Sequence, residues 1–421
     1  MSIARDEQAL QEQSNSCPVK HDSLSRQKTS RGEVSSSLPI ERDEQGVWQV
    51  YGFDEARAIL RSSATKQAGF NAEHLAKIPG IKNRPILYLE GKEHQQQRKQ
   101  TARFFTPKTV SISYRQFMET LADQLVDELR RKKRVDLSQL SLRLAVQVAA
   151  QVVGVTNSRL PGMENRLNAF FQQQHSPVRA IAPLLKWKPF AKLYRIYRQR
   201  HMLTFYWLDV EPAIRARRRQ AREDVISHLI GLNYSNAEIL TECVTYAAAG
   251  MVTTREFISI AAWHFLEHPE LRERYLAAPE EERHEMLHET LRLEPVVGHL
   301  YRRATADIEL ESQGRQVIIP EGDLINIHIY AANVDEKVVG EEPLALCPGR
   351  PIHDDRIPSM LMGFGDGHHR CPGAYIAIQE TDIFLQRLLA LKTLHIERLP
   401  DVIWNDMTTG YEIRKFLIAI K

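Results

Sequence analysis

From Met1 to about Ser37 the chain is rich in Gln, Ser, Glu and Arg and holds no apolar cluster. Such a segment buries too little apolar surface to offset the entropy of ordering it, so a loose tail is expected, followed by one body from Leu38 to Lys421. Alternation at Gly46 to Tyr51 predicts a short strand, and the apolar spacing through Ala58, Ile59 and Leu60 an amphipathic helix. Between Phe70 and Leu89 the pattern is irregular, broken by Pro79, Gly80 and Pro85. Helical periodicity then dominates from about Lys92 to Leu293, with an interruption between Pro177 and Trp187.

One predicted helix differs from the others. Ser235 followed by Glu238 is a capping-box start, and helical character runs on to about Leu266, ahead of His268-Pro269. Its middle, Ala247-Ala248-Ala249-Gly250, has almost no side chain on any face, which suits a place where something large lies against the helix. Thr253 and Thr254 follow, and threonine hydroxyls can take the helix's own carbonyls and bend it. A further helix is expected from Glu281 to Glu294, stopped by Pro295. Tyr301 to Leu310, Val317 to Ile319 and Leu324 to Ile327 read as short strands, with Pro320-Glu321-Gly322 as a turn. Asp335 to His369 is loop-rich, and a last long helix is expected from Gly373 to Ala390. The fold class is therefore mainly α with a small β-rich region.

Composition narrows the picture. Hydrophobic residues make up 43% and charged residues 26% of the 421 residues, enough apolar material for a large core. The 56 basic and 53 acidic residues leave a net charge of +3, which argues against nucleic acid as the main partner. Local basic runs, Arg130 to Arg134 and Arg215 to Arg219, read as solvated helix faces because no recognition motif accompanies them. Cys17, Cys243, Cys347 and Cys371 are far apart with no paired spacing, so reduced, cytoplasmic usage is expected. No stretch approaches the run of about 20 apolar residues that spans a bilayer, so no membrane anchor is expected.

Candidate chemistry concentrates in Phe364-Gly365-Asp366-Gly367-His368-His369-Arg370-Cys371-Pro372-Gly373-Ala374. A lone cysteine sits in a Gly-rich loop at the mouth of a helix, where amide groups and nearby cations favour the thiolate. Glycines at Gly367 and Gly373 permit positive φ and close approach to a flat macrocycle. These residues resemble the heme-binding loop of the cytochrome P-450 family, of form F-x-x-G-x-[RH]-x-C-x-G, and further landmarks fall in the family's order. Glu289 and Arg292 match its E-x-x-R helix, with Arg350 as the candidate third member of that lock. His94 and Arg98 match H-x-x-x-R, Arg302 (or the neighbouring Arg303) a third propionate ligand, and His369 a fourth. Ala249-Gly250-Met251-Val252-Thr253-Thr254 resembles the distal-helix pattern [AG]-G-x-[DE]-T-[TS], except that Val252 stands where the family has an acid.

The resemblance implies the single-body cytochrome P-450 fold and a heme b with Cys371 as axial thiolate. Phe364, Gly365, Gly373 and Ala249 would lie against the macrocycle, and His94, Arg98, Arg302 and His369 would hold its propionates. The implied reaction is reductive activation of O₂ and insertion of one oxygen atom into a small apolar organic substrate. Gly250 and Thr253 would serve the distal side. Glu256, one turn beyond Val252, is the acid nearest to a relay role, the competing reading being a structural partner of Arg255. With no flavin or iron–sulfur motif in the chain, electrons would come from a ferredoxin or flavodoxin type donor, suited to a basic face with Lys99, Arg103 and Arg370. Substrate-facing segments are expected at Phe70 to Leu89, Phe170 to Pro189, Val296 to Leu300 and Met407 to Tyr411. Two rivals stay open: a heme-thiolate enzyme of atypical chemistry (oxidative coupling, dehydration or peroxide-driven oxidation), which Val252 favours, and a non-enzymatic heme sensor.

Overall fold

The structure, a computed structural model, describes residues 26–29, 38–70, 83–173, 200–352, 354, 356–406 and 408–421. The expected break between Pro177 and Trp187, Cys17, and most of the N-terminal tail lie outside the described residues. The strands are β1 (Ile40–Arg42), β2 (Trp48–Val50), β3 (Thr65–Gln67), β4 (Arg134–Asp136), β5 (His299–Ala304), β6 (Ile308–Ser312), β7 (Arg315–Ile319), β8 (Leu324–His328), β9 (His395–Arg398), β10 (Asp401–Asn405), β11 (Gly410–Arg414) and β12 (Leu417–Ala419). Helices that position the site are α1 (Phe53–Arg61), α2 (Gly91–Thr101), α3 (Arg115–Lys132), α4 (Leu137–Val153), α5 (Asn236–Ala247), α6 (Thr253–Glu267), α7 (Pro269–Ala277), α8 (Glu280–Leu293) and α9 (Ala374–Leu389).

The main core is helical. Met118, Leu121, Leu125 and Leu129 recur on one face of α3 and pack with α4, α6 and α9 into a single buried cluster. α4 stops where Gly154 takes φ +99, with its N–H on Ala150 O at 2.8 Å, the left-handed end that glycine makes without strain. A second cluster lies under the five-stranded sheet, whose order is β1-β2-β8-β5-β3 with β2 and β8 parallel. Hairpin β6–β7 adds Ile308, Leu310 and Ile319 to that cluster, and β10–β11 and β4-β12-β9 are separate small sheets. Among the described residues no helix is long and apolar enough to cross a membrane.

Most expected elements form where the pattern placed them, and the departures have identifiable causes. The single strand expected over Tyr301 to Leu310 is two strands, β5 and β6, because Thr305 N–H turns to Ala64 O and Asp307 accepts Glu321 N–H. The long helix begins at the expected capping box, with Ser235 and Glu238 bonded reciprocally, but Ala248–Val252 forms a π turn between α5 and α6. Within the tail expected to be loose, Arg26–Thr29 dock on the body: Lys28 N–H and Thr29 N–H both donate to the buried carboxylate of Glu294, at 2.6 and 3.2 Å. Among the described residues Cys243 and Cys371 are free.

Candidate active site

The cysteine loop is built on backbone geometry that the sequence made specific. Gly367 has φ +67, and a Cβ there would lie 2.0 Å from Leu60 O, so only glycine lets the loop pass α1. Asp366 pairs with Arg61 at 2.8 Å and Arg57 at 3.5 Å, tying the loop to the same helix. Cys371 N–H donates to Phe364 O at 2.9 Å, folding the loop back on itself. Gly373 has φ −86, so the positive φ expected of it is absent; it opens α9 as a helix cap. Burial pushes the Cys371 thiol up, and the Gly373 amide, Arg98 and Arg370 only partly offset that. The Gly373 amide and the two cations act in the expected direction, towards the thiolate, and burial acts against them.

Behind the loop the E-x-x-R landmark is a closed, buried network. Arg292 Nε donates to Glu289 Oε2 at 2.7 Å, and Arg350 Nε to Oε1 at 3.1 Å. Cys347 N–H fills the same oxygen at 2.9 Å, and both guanidiniums spend their remaining hydrogens on loop carbonyls, including Ala345 O. The two guanidiniums share one carboxylate and every donor is used, which offsets the cost of burying them.

Four cationic or imidazole side chains come together from three elements. His94 and Arg98 project from α2, His369 from the cysteine loop and Arg302 from β5. The His94 and His369 ring centroids lie 4.3 Å apart, the planes tilted by 34°. Burial, with the fields of His369 and Arg98, pulls His94 down to about 4, leaving it a neutral hydrogen-bonding group at neutral pH. Arg98 donates to Arg370 O, and it feels both Cys371 and Tyr246 of α5. Arg302 is buried and reaches Gln67, whereas Arg303, one step along the strand, turns to the other face and donates to Gly322 O at 2.9 Å. Strand alternation thus selects Arg302 over its neighbour. Two members that sequence reasoning missed are Glu90 and Gln67: Glu90 Oε2 lies 3.0 Å from His369 Nε2, and its Oε1 accepts Gln67 N–H at 2.6 Å. No motif marks either residue, since each acts through a partner distant in the chain.

On the distal side Ala249 is exposed and Gly250 half-buried along the π turn, while Thr253 Oγ1 donates to Ala249 O at 2.5 Å. Val252 is buried beside a cavity of about 30 Å³ whose polar walls are Asn168, Arg255, Asn405, Glu412 and Arg414. Glu256 is fully buried and committed elsewhere. Its Oε1 takes Arg255 at 2.6 Å and Arg414 at 2.9 Å, and its Oε2 takes Ile413 N–H at 2.6 Å. That geometry opposes the relay role set out for Glu256 above, because both oxygens are engaged by the β10–β11 hairpin and Arg255.

The residues present fit a heme. One side carries the free Cys371 beside Arg98, the α5–α6 junction has only small side chains over Ala248–Gly250, and His94, His369 and, through Gln67 and Glu90, Arg302 are linked together. The cytochrome P450 family model matches residues 40–278 and 284–408. The chain is 24% identical over 373 residues to the biotin biosynthesis cytochrome P450 of Bacillus subtilis, covering 86% of each. It is 25% identical over 368 residues to the erythromycin C-12 hydroxylase of Saccharopolyspora erythraea, covering 85% of each. Among solved structures it resembles P450BioI in complex with an acyl carrier protein ligated with hexadec-9Z-enoic acid, with TM-score 0.71 and 22% identity over 91% of this chain and 94% of that one. It also resembles CYP109E1 from Bacillus megaterium in complex with corticosterone, with TM-score 0.70 and 20% identity over 91% and 95%. The chain belongs to the cytochrome P450 family, and is an oxidoreductase of its heme-dependent monooxygenase type.

Proposed function

We propose that the chain inserts one oxygen atom from O₂ into a small apolar organic substrate, with heme b held by Cys371 and electrons from a separate ferredoxin or flavodoxin type donor in the cytoplasm. The observation that carries the reading is the free Cys371 beside Arg98, with His94 against His369 and Arg302 joined to His369 through Gln67 and Glu90. Bound there, the heme would supply redox activation of O₂, with the cysteine sulfur pushing electron density onto iron. The chain's own residues do the rest. Arg98 and Arg302 offer guanidinium forks to carboxylates, and His94 and His369 add imidazole hydrogen bonds. Ala249 and Gly250 leave room for the macrocycle. The Thr253 hydroxyl, whose hydrogen is spent on Ala249 O, keeps lone pairs free to hold a water on the distal side. Glu289, Arg292 and Arg350 fix the loop before the cysteine and take no part in the chemistry. Exposed Lys99, Arg103 and Arg370 supply a basic face for an acidic donor.

Apolar substrates suit the relatives' printed ligands, a fatty acyl chain on a carrier protein and a steroid. A second reading, peroxide-driven or otherwise atypical chemistry, is favoured by Val252, which can neither carry a proton nor hold a water. The test is a screen of apolar compounds for the heme's low-spin to high-spin change, followed by turnover of the hits. Oxygenated product with O₂, a nicotinamide reductant, ferredoxin and its reductase is the expected result. Product formed only with peroxide would establish the second reading, and no turnover of any hit would favour a sensor.

A further inference from the structure

The side chains assigned to the propionates bring two guanidiniums, Arg98 and Arg302, to one site with the imidazoles of His94 and His369. Like charges at close range repel, and a buried cation without a counter-charge is costly. One carboxylate stands among them and the propionate reading does not use it. Glu90 precedes α2 without capping it: no side-chain cap bond forms. Instead one oxygen meets His369 Nε2 at 3.0 Å and the other takes Gln67 N–H at 2.6 Å, while Gln67's side-chain oxygen receives the Arg302 guanidinium. Glu90 is thus joined to both β5 and the cysteine loop, through a single residue on β3 in the first case and directly in the second.

The electrostatics agree. Burial draws Arg302 down to about 10, and the charge that opposes this is Glu90. Burial also works to raise the Glu90 carboxyl, but the hydrogen bonds from His369 and the Gln67 amide, with the fields of His369 and Arg302, hold it below its ordinary range. The carboxylate therefore is ionised and faces the cations that two propionates would also face.

We propose that Glu90 is an internal counter-anion of the propionate site, neutralising its cations in the heme-free chain and opposing the heme's carboxylates once they bind. The inference rests on the heme-binding reading given above. Its sign follows from linkage: a negative charge that stabilises the heme-free protein more than the loaded one weakens heme binding by the difference. The Glu90 side chain is 35% exposed, so solvent screens the effect and the expected change is modest.

Glu90→Gln keeps size and can still accept Gln67 N–H, but removes the charge. Measured at one neutral pH, heme-free E90Q should melt roughly 2 °C or more below the heme-free parent. Transfer of heme from loaded E90Q to a heme-scavenging apoglobin should be slower, by about threefold or more, because the repulsion is gone. Glu90→Asp keeps the charge and should lie closer to the parent in both measurements. Faster heme loss from E90Q, an unchanged melting temperature of its heme-free form, or Asp behaving like Gln would each overturn the proposal. If E90Q does not fold, the Asp variant decides it alone: heme loss slower than the parent's would contradict the account. Should the parent chain take up no heme, the heme reading itself fails, and that outcome is separate from all of these.

Discussion

At the scale of single residues, two acids on the long helix set the clearest expectations. Glu256 serves Arg255, Arg414 and Ile413 N–H together, so Glu256→Gln should remove the nearer of two carboxylates, the other being Glu412, that face the buried Arg255 and the partly buried Arg414. Breaking a buried pair from one side costs roughly 3–5 kcal/mol, and the melting temperature should fall accordingly. O₂-driven and peroxide-driven turnover should fall together with folded heme content; a selective loss of the O₂ route with heme content and stability intact would restore the relay role. Glu242, also on the long helix, gives a pH dependence. It is nearly fully buried, and burial raises its carboxyl to about 7 against the hydrogen bond from Gln97. A folded-state value above the unfolded one means the stabilisation is present below the unfolded value and is lost as pH rises through the folded one. Stability should therefore decline between about pH 4.5 and 7 by up to about 3 kcal/mol from this group. Glu242→Gln should flatten that window in thermal melts, and an unchanged slope would show that the group does not titrate there.

At the scale of elements, the site is held by places where one chain segment passes another too closely for ordinary side chains. Gly367 against Leu60 O is the sharpest case. Gly367→Ala should leave the helices folded by circular dichroism yet sharply reduce the heme bound per chain, because the loop and α1 cannot both keep their paths; normal heme content would contradict this. Such constraints also explain what the sequence disclosed and what it withheld. The cysteine loop, the capping box at Ser235 and the E-x-x-R helix were legible because their partners lie within a few residues or a fixed motif spacing. The break between β5 and β6 was not, because it depends on Ala64 and Glu321 meeting Thr305 and Asp307 from elsewhere. The docking of Lys28 and Thr29 on Glu294, across 266 and 265 positions, left no local signal at all. Glu256 shows the same limit from the other side: the hairpin that engages it comes from the far end of the chain.

At the scale of the whole molecule, three parts of the structure are linked at the site: the helical core through α2, the five-stranded sheet through β3 and β5, and the cysteine loop ahead of α9. Arg98 and Arg302 represent the first two, so Arg98→Ala and Arg302→Ala should each speed heme loss without altering the spectral type. A charge-assisted hydrogen bond is typically worth about 1.5–3 kcal/mol, which is roughly ten- to hundredfold in a dissociation rate. Unchanged loss from both variants would remove the propionate assignment. The central claim is that Cys371 binds iron through its sulfur, and its most direct test is the absorption spectrum of the reduced, CO-treated protein. The account expects the red-shifted Soret band of a thiolate-ligated heme in the parent chain and in Cys243→Ala, and its loss in Cys371→Ala. A band that survives in Cys371→Ala, or that never appears in a parent chain loaded with heme, would contradict it.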